Sequence, residues 1–271
     1  MLMINSHQYD SGIGTGEDHT TAMAGHTLDS RWIRRFHPSP NSAVRLLCLP
    51  HAGGTANCFY PMSELLSPRI EVLSVQYPGR QDRVHEPCLT ELSALADSLY
   101  EELTGWLDRP LALFGHCMGA LVAFEVAMRL ERRSQVVPVA LFASGSPGPC
   151  AFPTTGSDYG LLEDLLMVER APRGGRCVQR TASAAIRADY AAVLAYRMPT
   201  GGGVSCPVTA LLGDRDPAVG VAQGRSWSEH TTGAFDFQVY PGGRFYFDSC
   251  RLEVAEAISG QLLQDNAVAR R

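Results

Sequence analysis

The stretch that decides the fold is LALFGHCMGA, residues 111–120. Leu111, Ala112, Leu113 and Phe114 form a short apolar run that suits a buried strand, and Ala120 to Leu130 continues at helical periodicity. Between them Gly115 and Gly119 flank Cys117 in the G-x-S-x-G spacing of a nucleophile elbow, with cysteine where serine is usual. The glycines have a steric job. A strained turn that lifts its central side chain above the sheet leaves no room for Cβ atoms two residues to either side. The turn also aims the N-terminus of the next helix, with its unsatisfied N–H groups, at whatever binds there. Cys117 is therefore expected in a positive local field.

Upstream, Arg45 to Pro50 (RLLCLP) is a buried strand that runs into His51-Ala52-Gly53-Gly54. A Gly-Gly loop at the end of a strand lets backbone N–H groups approach a ligand closely, as an oxyanion hole requires. Its candidate donors are the amides of Ala52 and of Met118, the residue after Cys117; His51 is read as shaping the loop. Further strands are expected over Glu71–Tyr77, Val136–Ser144, Pro207–Leu212 and Phe235–Tyr240. Helices are expected over Thr90–Leu107 and Leu252–Leu263. Strands alternating with helices predict an α/β fold whose mostly parallel sheet is covered on both faces. Residues 151–204 break the alternation with two helical patterns, Tyr159–Val168 and Ala182–Tyr196, joined through Arg173, Gly174, Gly175 and Arg176. Two helices inserted there predict a lid over the site. The chain thus divides into a polar, disordered extension (1–30), a first part of the core (31–150), a helical lid (151–204) and a second part of the core (205–271).

Composition narrows the function. The 271 residues are 45% hydrophobic, enough for one large domain. A net charge of -5 without a long basic block argues against a nucleic-acid partner. All 23 cationic side chains are arginine, so a Schiff-base lysine and a Ser-Lys dyad are excluded. The eight cysteines are scattered and contain no C-x-x-C pair, which suggests neither a zinc site nor a disulfide framework. The N-terminus lacks a signal-peptide pattern and no apolar run reaches membrane-spanning length, so a cytoplasmic protein without a membrane partner is expected.

Three chemistry-bearing positions follow the order nucleophile, acid, histidine, each after a strand, as in the α/β-hydrolase arrangement. Cys117 is the first. Asp216, in GDRDP at 213–217, is the second, with Asp214 as the alternative. The third position falls on Arg244. Together with PHAGG at 50–54, YPGRQDR at 77–83 with Glu86-Pro87, GHCMGA at 115–120, IRADY at 186–190 and PGGRFYF at 241–247, these motifs make the chain resemble a type II thioesterase of polyketide and nonribosomal peptide assembly lines. The resemblance implies an α/β-hydrolase fold with an inserted lid. It also implies release of acyl groups from the phosphopantetheine arm of an acyl or peptidyl carrier protein by serine, histidine and aspartate, with no other cofactor. Here Cys117 stands for the serine, and Arg244 stands for the histidine of a PGGH motif.

The two departures are chemically coherent. A serine hydroxyl needs a neighbouring base, and a guanidinium that stays protonated cannot serve as one. A thiol is different: beside a cation or at a helix N-terminus its pKa drops from about 8.5 to roughly 3.5–7.5. Cys117 is thus expected as a thiolate paired with Arg244, which Asp216 would orient through a bidentate contact. Without a general base, water-dependent release loses about 10²- to 10⁴-fold, so acyl transfer or ring closure is favoured over hydrolysis. His116 and His230 are the auxiliary bases to consider. The alternatives are a non-covalent cyclase or isomerase in the same pocket, a non-catalytic carrier-binding module, and an ordinary editing hydrolase.

Overall fold

Six residues, VRLLCL at 44–49, show how the interior is built. Leu47 and Leu49 pack into one apolar cluster while Val44, Leu46 and Cys48 pack into another, because side chains along a strand alternate between its two faces. The structure, a computed structural model, describes residues 30–152 and 176–268. In chain order its main elements are β1 (Ile33–Arg34), β2 (Val44–Leu49), α1 (Tyr60–Leu66), β3 (Ile70–Val75), α2 (Leu92–Leu103), β4 (Leu111–His116), α3 (Met118–Arg129), β5 (Leu141–Ser144), α4 (Arg176–Ala195), β6 (Val208–Gly213), α5 (Val221–Arg225), β7 (Phe235–Tyr240) and α6 (Arg251–Val268).

The strands form one sheet in the order β1-β3-β2-β4-β5-β6-β7, and every neighbouring pair is parallel except β1 with β3. Met62 and Leu66 of α1 and Val254 and Ile258 of α6 cover one face. Leu95 and Leu99 of α2 and Leu121 and Phe124 of α3 cover the other. This is the doubly covered, mostly parallel sheet that the alternation of strands and helices implies. Since β2 lies between β3 and β4, the winding reverses there, and a crevice opens at the C-terminal ends of β2 and β4. The loop at 51–54 and Cys117 both leave the sheet at that crevice.

Several boundaries differ from the sequence reading for local reasons. The strand expected from Val136 begins only at Leu141, because Val136 donates its N–H to Leu130 O and finishes the π-helical turn that follows α3. The helix expected to Leu107 ends at Leu103 and continues as a tighter 3-10 turn over Thr104–Trp106. Helix α4 starts at Arg176, before the expected Ala182, and supplies the described part of the expected lid. Elements β1 and α1 are too short for a periodic signal. The Tyr159–Val168 pattern and the extension up to residue 29 lie outside the described residues. Among the described residues no helix is long and apolar enough to cross a membrane.

The opposite, N-terminal edge of the sheet is tied by charge. Glu71 of β3 is fully buried and accepts from Arg109 Nη2 at 2.7 Å, from Arg35 Nη1, Arg45 Nε and the Ser39 amide at 3.2 Å each. The Arg35 and Arg45 guanidiniums also lie over the Trp106 ring, 5.4 and 5.1 Å from its centroid. Burial opposes ionisation of Glu71, but the Ser39 amide and the three guanidiniums outweigh it and hold the carboxyl below its ordinary range. A carboxyl lowered in the folded state contributes stability that is present above its unfolded value and is lost as pH falls through the folded one. Glu71→Gln should therefore destabilise the protein by about 3 kcal/mol at neutral pH, with the difference shrinking below about pH 4. Denaturant titration of both proteins at the two pH values checks this; an unchanged midpoint at pH 7 contradicts it.

Candidate active site

Cys117 sits at the bend between β4 and α3 with φ 54° and ψ -118°, a backbone conformation that a non-glycine residue adopts only where its surroundings impose it. The imposing contacts are measurable. A Cβ on Gly115 would lie 2.2 Å from Gly119 O, and a Cβ on Gly119 would lie 2.1 Å from Leu49 O and 2.8 Å from Pro50 O. No larger residue fits at either position, so the first turn of α3 rests directly on the end of β2. Cys117 N–H donates to Ser144 O at 2.8 Å, which ties the bend to β5, and Cys117 O accepts from the Ala120 amide at 3.0 Å. Cys117 is the residue preceding the twelve-residue α3, whose first N–H groups have no intrahelical partner. Met118 carries the first of those groups.

The loop after β2 closes on itself through Gly54 N–H to His51 O at 2.8 Å, with Gly53 at φ +75°. The next amide, Gly53 N–H, donates to Asp189 Oδ2 of α4 at 2.7 Å. The same Oδ2 also accepts from Arg80 Nη2. Both partners are buried, Asp189 completely. Arg80 also donates to Pro78 O at 2.6 Å and stacks over the Tyr77 ring, 5.1 Å from its centroid. Three segments quoted from the sequence as motifs, at 50–54, 77–83 and 186–190, therefore meet at one carboxylate. Sequence reasoning gave Arg80 and Asp189 no role. The available signal was Asp189 on the helix face that also carries the buried Ile186, Tyr190 and Val193, since a carboxylate there needs a partner.

Asp216 and Arg244 follow β6 and β7, as expected. Asp216 Oδ1 accepts from the Ala218 and Val219 amides at 2.9 and 3.3 Å, and its buried Oδ2 has no hydrogen-bond partner among the described residues. Oδ1 is thus held by its own turn, an arrangement that an Asp-Pro start favours, and Oδ2 takes no part in the expected bidentate contact with Arg244. Burial raises the Asp216 pKa, partly offset by the Ala218 amide and by the charge of Arg244. The same guanidinium charge acts on His51 and His116. Arg244 thus lies within electrostatic reach of the acid, the loop after β2 and the residue preceding Cys117.

The sequence-predicted auxiliary groups have other partners. His116 is fully buried, with Nδ1 2.9 Å from Ser144 Oγ, itself 2.7 Å from Tyr246 OH. Its ring packs on Phe245 and Phe247 at 5.5 and 4.7 Å. Phe247 belongs to the apolar cluster on the other side of the sheet from the one containing Cys117, so adjacent residues point to opposite faces. Burial, with the neighbouring His51 and Arg244, pushes the His116 pKa well down. His51 itself is lowered to about 4 by burial and by the charges of Arg244 and Arg80, and its ring meets Phe245 at 4.9 Å. His230 packs on Phe124 and Trp227, two helical turns along α3 from Cys117. Asp214 is exposed and holds the Gly242 amide at 2.7 Å, joining the loops after β6 and β7.

The chain is similar to several known proteins. Residues 44–262 match the family described as Thioesterase domain. "Thioesterase PikA5" of Streptomyces venezuelae is 41% identical over 251 residues, 86% of this chain and 85% of its own. The "Probable cadicidin biosynthesis thioesterase" of Streptomyces griseus is 39% identical over 93% of this chain and 70% of its own. Among solved structures, the type II thioesterase BorB from the borrelidin biosynthetic cluster superimposes with a TM-score of 0.78 at 39% identity, covering 85% of this chain and 97% of that one. The RedJ thioesterase from the prodiginine pathway in Streptomyces coelicolor gives 0.75 at 30% identity, over 82% and 91%. With the strained elbow, the mostly parallel sheet and a family match across most of its length, the chain belongs to the thioesterase family and has the α/β-hydrolase fold of type II thioesterases.

Proposed function

We propose that this protein takes acyl groups from carrier-bound thioesters of polyketide or nonribosomal peptide biosynthesis onto Cys117 and passes them to an acceptor other than water. What supports this reading is that a cysteine stands at the strained elbow and an arginine in the loop after β7, at the positions where the resemblance calls for serine and histidine. Cys117 Sγ, as thiolate, attacks the thioester carbonyl; the C–S bond to the phosphopantetheine arm breaks and the departing thiolate takes a proton from solvent. The amides of Ala52 and Met118 receive the carbonyl oxygen as it gains charge. One thioester replaces another, so the step is close to balanced and keeps the acyl group activated. In the second step an amine, hydroxyl or carbon nucleophile attacks and loses its proton to solvent, and Cys117 leaves as thiolate. Partner and cofactor follow from this reading: a carrier protein presenting its phosphopantetheine arm.

Release to water lacks its usual helper. His116 and His230 are held in ring packing, burial together with the charge of Arg244 lowers His116 and His51 and leaves them weak bases, and Arg244 offers no basic atom itself. These contacts weigh against the ordinary hydrolase reading.

Two outcomes are expected. Intact-mass spectrometry after incubation with an acyl carrier thioester should show the protein heavier by one acyl group, and Cys117→Ala should abolish the shift; prompt free acid with no adduct contradicts the reading. Arg244→His should restore a base and raise hydrolytic turnover by about 10²-fold. Equal release of free acid by the variant and the parent would show that the base was never the missing element.

A further inference from the structure

The loop at 51–54 must present an amide to within a fraction of an ångström of a developing oxyanion, yet two of its four residues are glycine, the least restrained residue type. Its peptide planes show what restrains it. The peptide joining His51 to Ala52 has its carbonyl fixed by Gly54 N–H at 2.8 Å. Because a trans peptide directs its C=O and N–H in opposite senses, that bond also sets the direction of the Ala52 N–H. The following peptide, joining Ala52 to Gly53, has its N–H fixed by Asp189 Oδ2 at 2.7 Å. The first restraint is internal to the loop; the second comes from α4, 136 residues further along the chain. Ile186, one turn before Asp189, fills the space beside Gly53, where a Cβ would lie 2.3 Å from Ile186 Cγ1.

Burying a carboxylate and a guanidinium is costly, and an apolar pair of similar volume often does as well for stability alone. A charge pair at this point is therefore explained better by direction than by stability. Only an acceptor with a fixed position can orient the Gly53 amide, and Arg80, anchored on Pro78 O at 2.6 Å and on the Tyr77 ring, fixes the Asp189 carboxylate. We propose that Asp189 and Arg80 are positioning residues that hold the Ala52–Gly53 peptide, and through it the oxyanion-hole amide, in its working orientation. This deepens the proposed function and rests on the oxyanion role given there to Ala52. It also gives α4 a task apart from covering the site, since the helix carries the group that aligns the loop.

Removing one charge alone leaves the other buried and unpaired, which threatens folding, so paired substitutions make the test. Asp189→Leu with Arg80→Met removes both charges and the acceptor. Asp189→Asn with Arg80→Met removes both charges but keeps an oxygen for Gly53 N–H. Three quantities are read on the full chain: hydrogen exchange of the peptide containing Gly53, acylation of Cys117 by an acyl N-acetylcysteamine thioester, and alkylation of Cys117 by iodoacetamide, which needs no oxyanion hole. In the Leu/Met protein exchange at the loop should rise at least about tenfold, as loss of one hydrogen bond predicts. Acylation there should fall about 10²-fold, with alkylation within about twofold of the parent. The Asn/Met protein should recover most of both losses. Loop exchange equal to the parent's in the Leu/Met protein, or a parallel fall in acylation and alkylation, overturns the proposal. A parent protein that forms no acyl-enzyme while loop exchange follows the expected pattern supports the clamp and removes the Cys117 reading instead.

Discussion

Everything at the functional end of this molecule depends on one close approach, that of the β4–α3 bend to the backbone at the end of β2. With hydrogen atoms in place of side chains at Gly115 and Gly119, the first turn of α3 lies directly on Leu49 O and Pro50 O. That contact forces Cys117 into a left-handed conformation, sets it at the N-terminal end of a twelve-residue helix, and brings the loop at 51–54 alongside. Widening the gap by one methyl group would separate the cysteine from the loop to which the proposed function assigns the carbonyl oxygen. The chemistry is therefore a consequence of packing before it is one of charge.

The two ends of the sheet use buried charge differently. At the N-terminal edge Glu71 gathers Arg35, Arg45 and Arg109, and nothing there faces the crevice; the cluster joins β3 to β2 and to the chain entering β4. At the C-terminal edge Asp189 holds Arg80 and a loop amide, and it joins α4 to the crevice. An arginine-only sequence suits both, because a planar guanidinium can satisfy several acceptors at once where an ammonium would act as a point charge. Arg244 differs from these. Its charge reaches His51, His116 and Asp216, and it adds to the burial that lowers the two imidazoles.

Much of the fold was legible because the signals were local. The alternation in VRLLCL, the glycines around Cys117 and the Asp-Pro turn after β6 each report a steric requirement that a few residues fulfil on their own. The elbow was readable for that reason, and so was the sheet, whose strands are short apolar runs bounded by Gly and Pro. What escaped was long-range or very short. The pairing of Gly53 with Asp189 spans 136 residues, and no pattern within IRADY says where its aspartate points. Strand β1 has two residues and α1 seven, too few to show a period. The Ala218 and Val219 amides hold one Asp216 oxygen, a turn geometry that GDRDP does not spell out in its spacing.

A cysteine at a helix N-terminus, ionised in the proposed chemistry, is what that chemistry rests on, and its protonation state can be read directly. The measurement is the second-order rate of Cys117 alkylation by iodoacetamide between pH 6 and 9, followed by peptide mass spectrometry. The account predicts that the rate at pH 6.5 stays within about twofold of that at pH 9, as a thiol already ionised at neutral pH requires. A rate falling about tenfold for each pH unit below 8.5, as for an ordinary exposed cysteine, would contradict it.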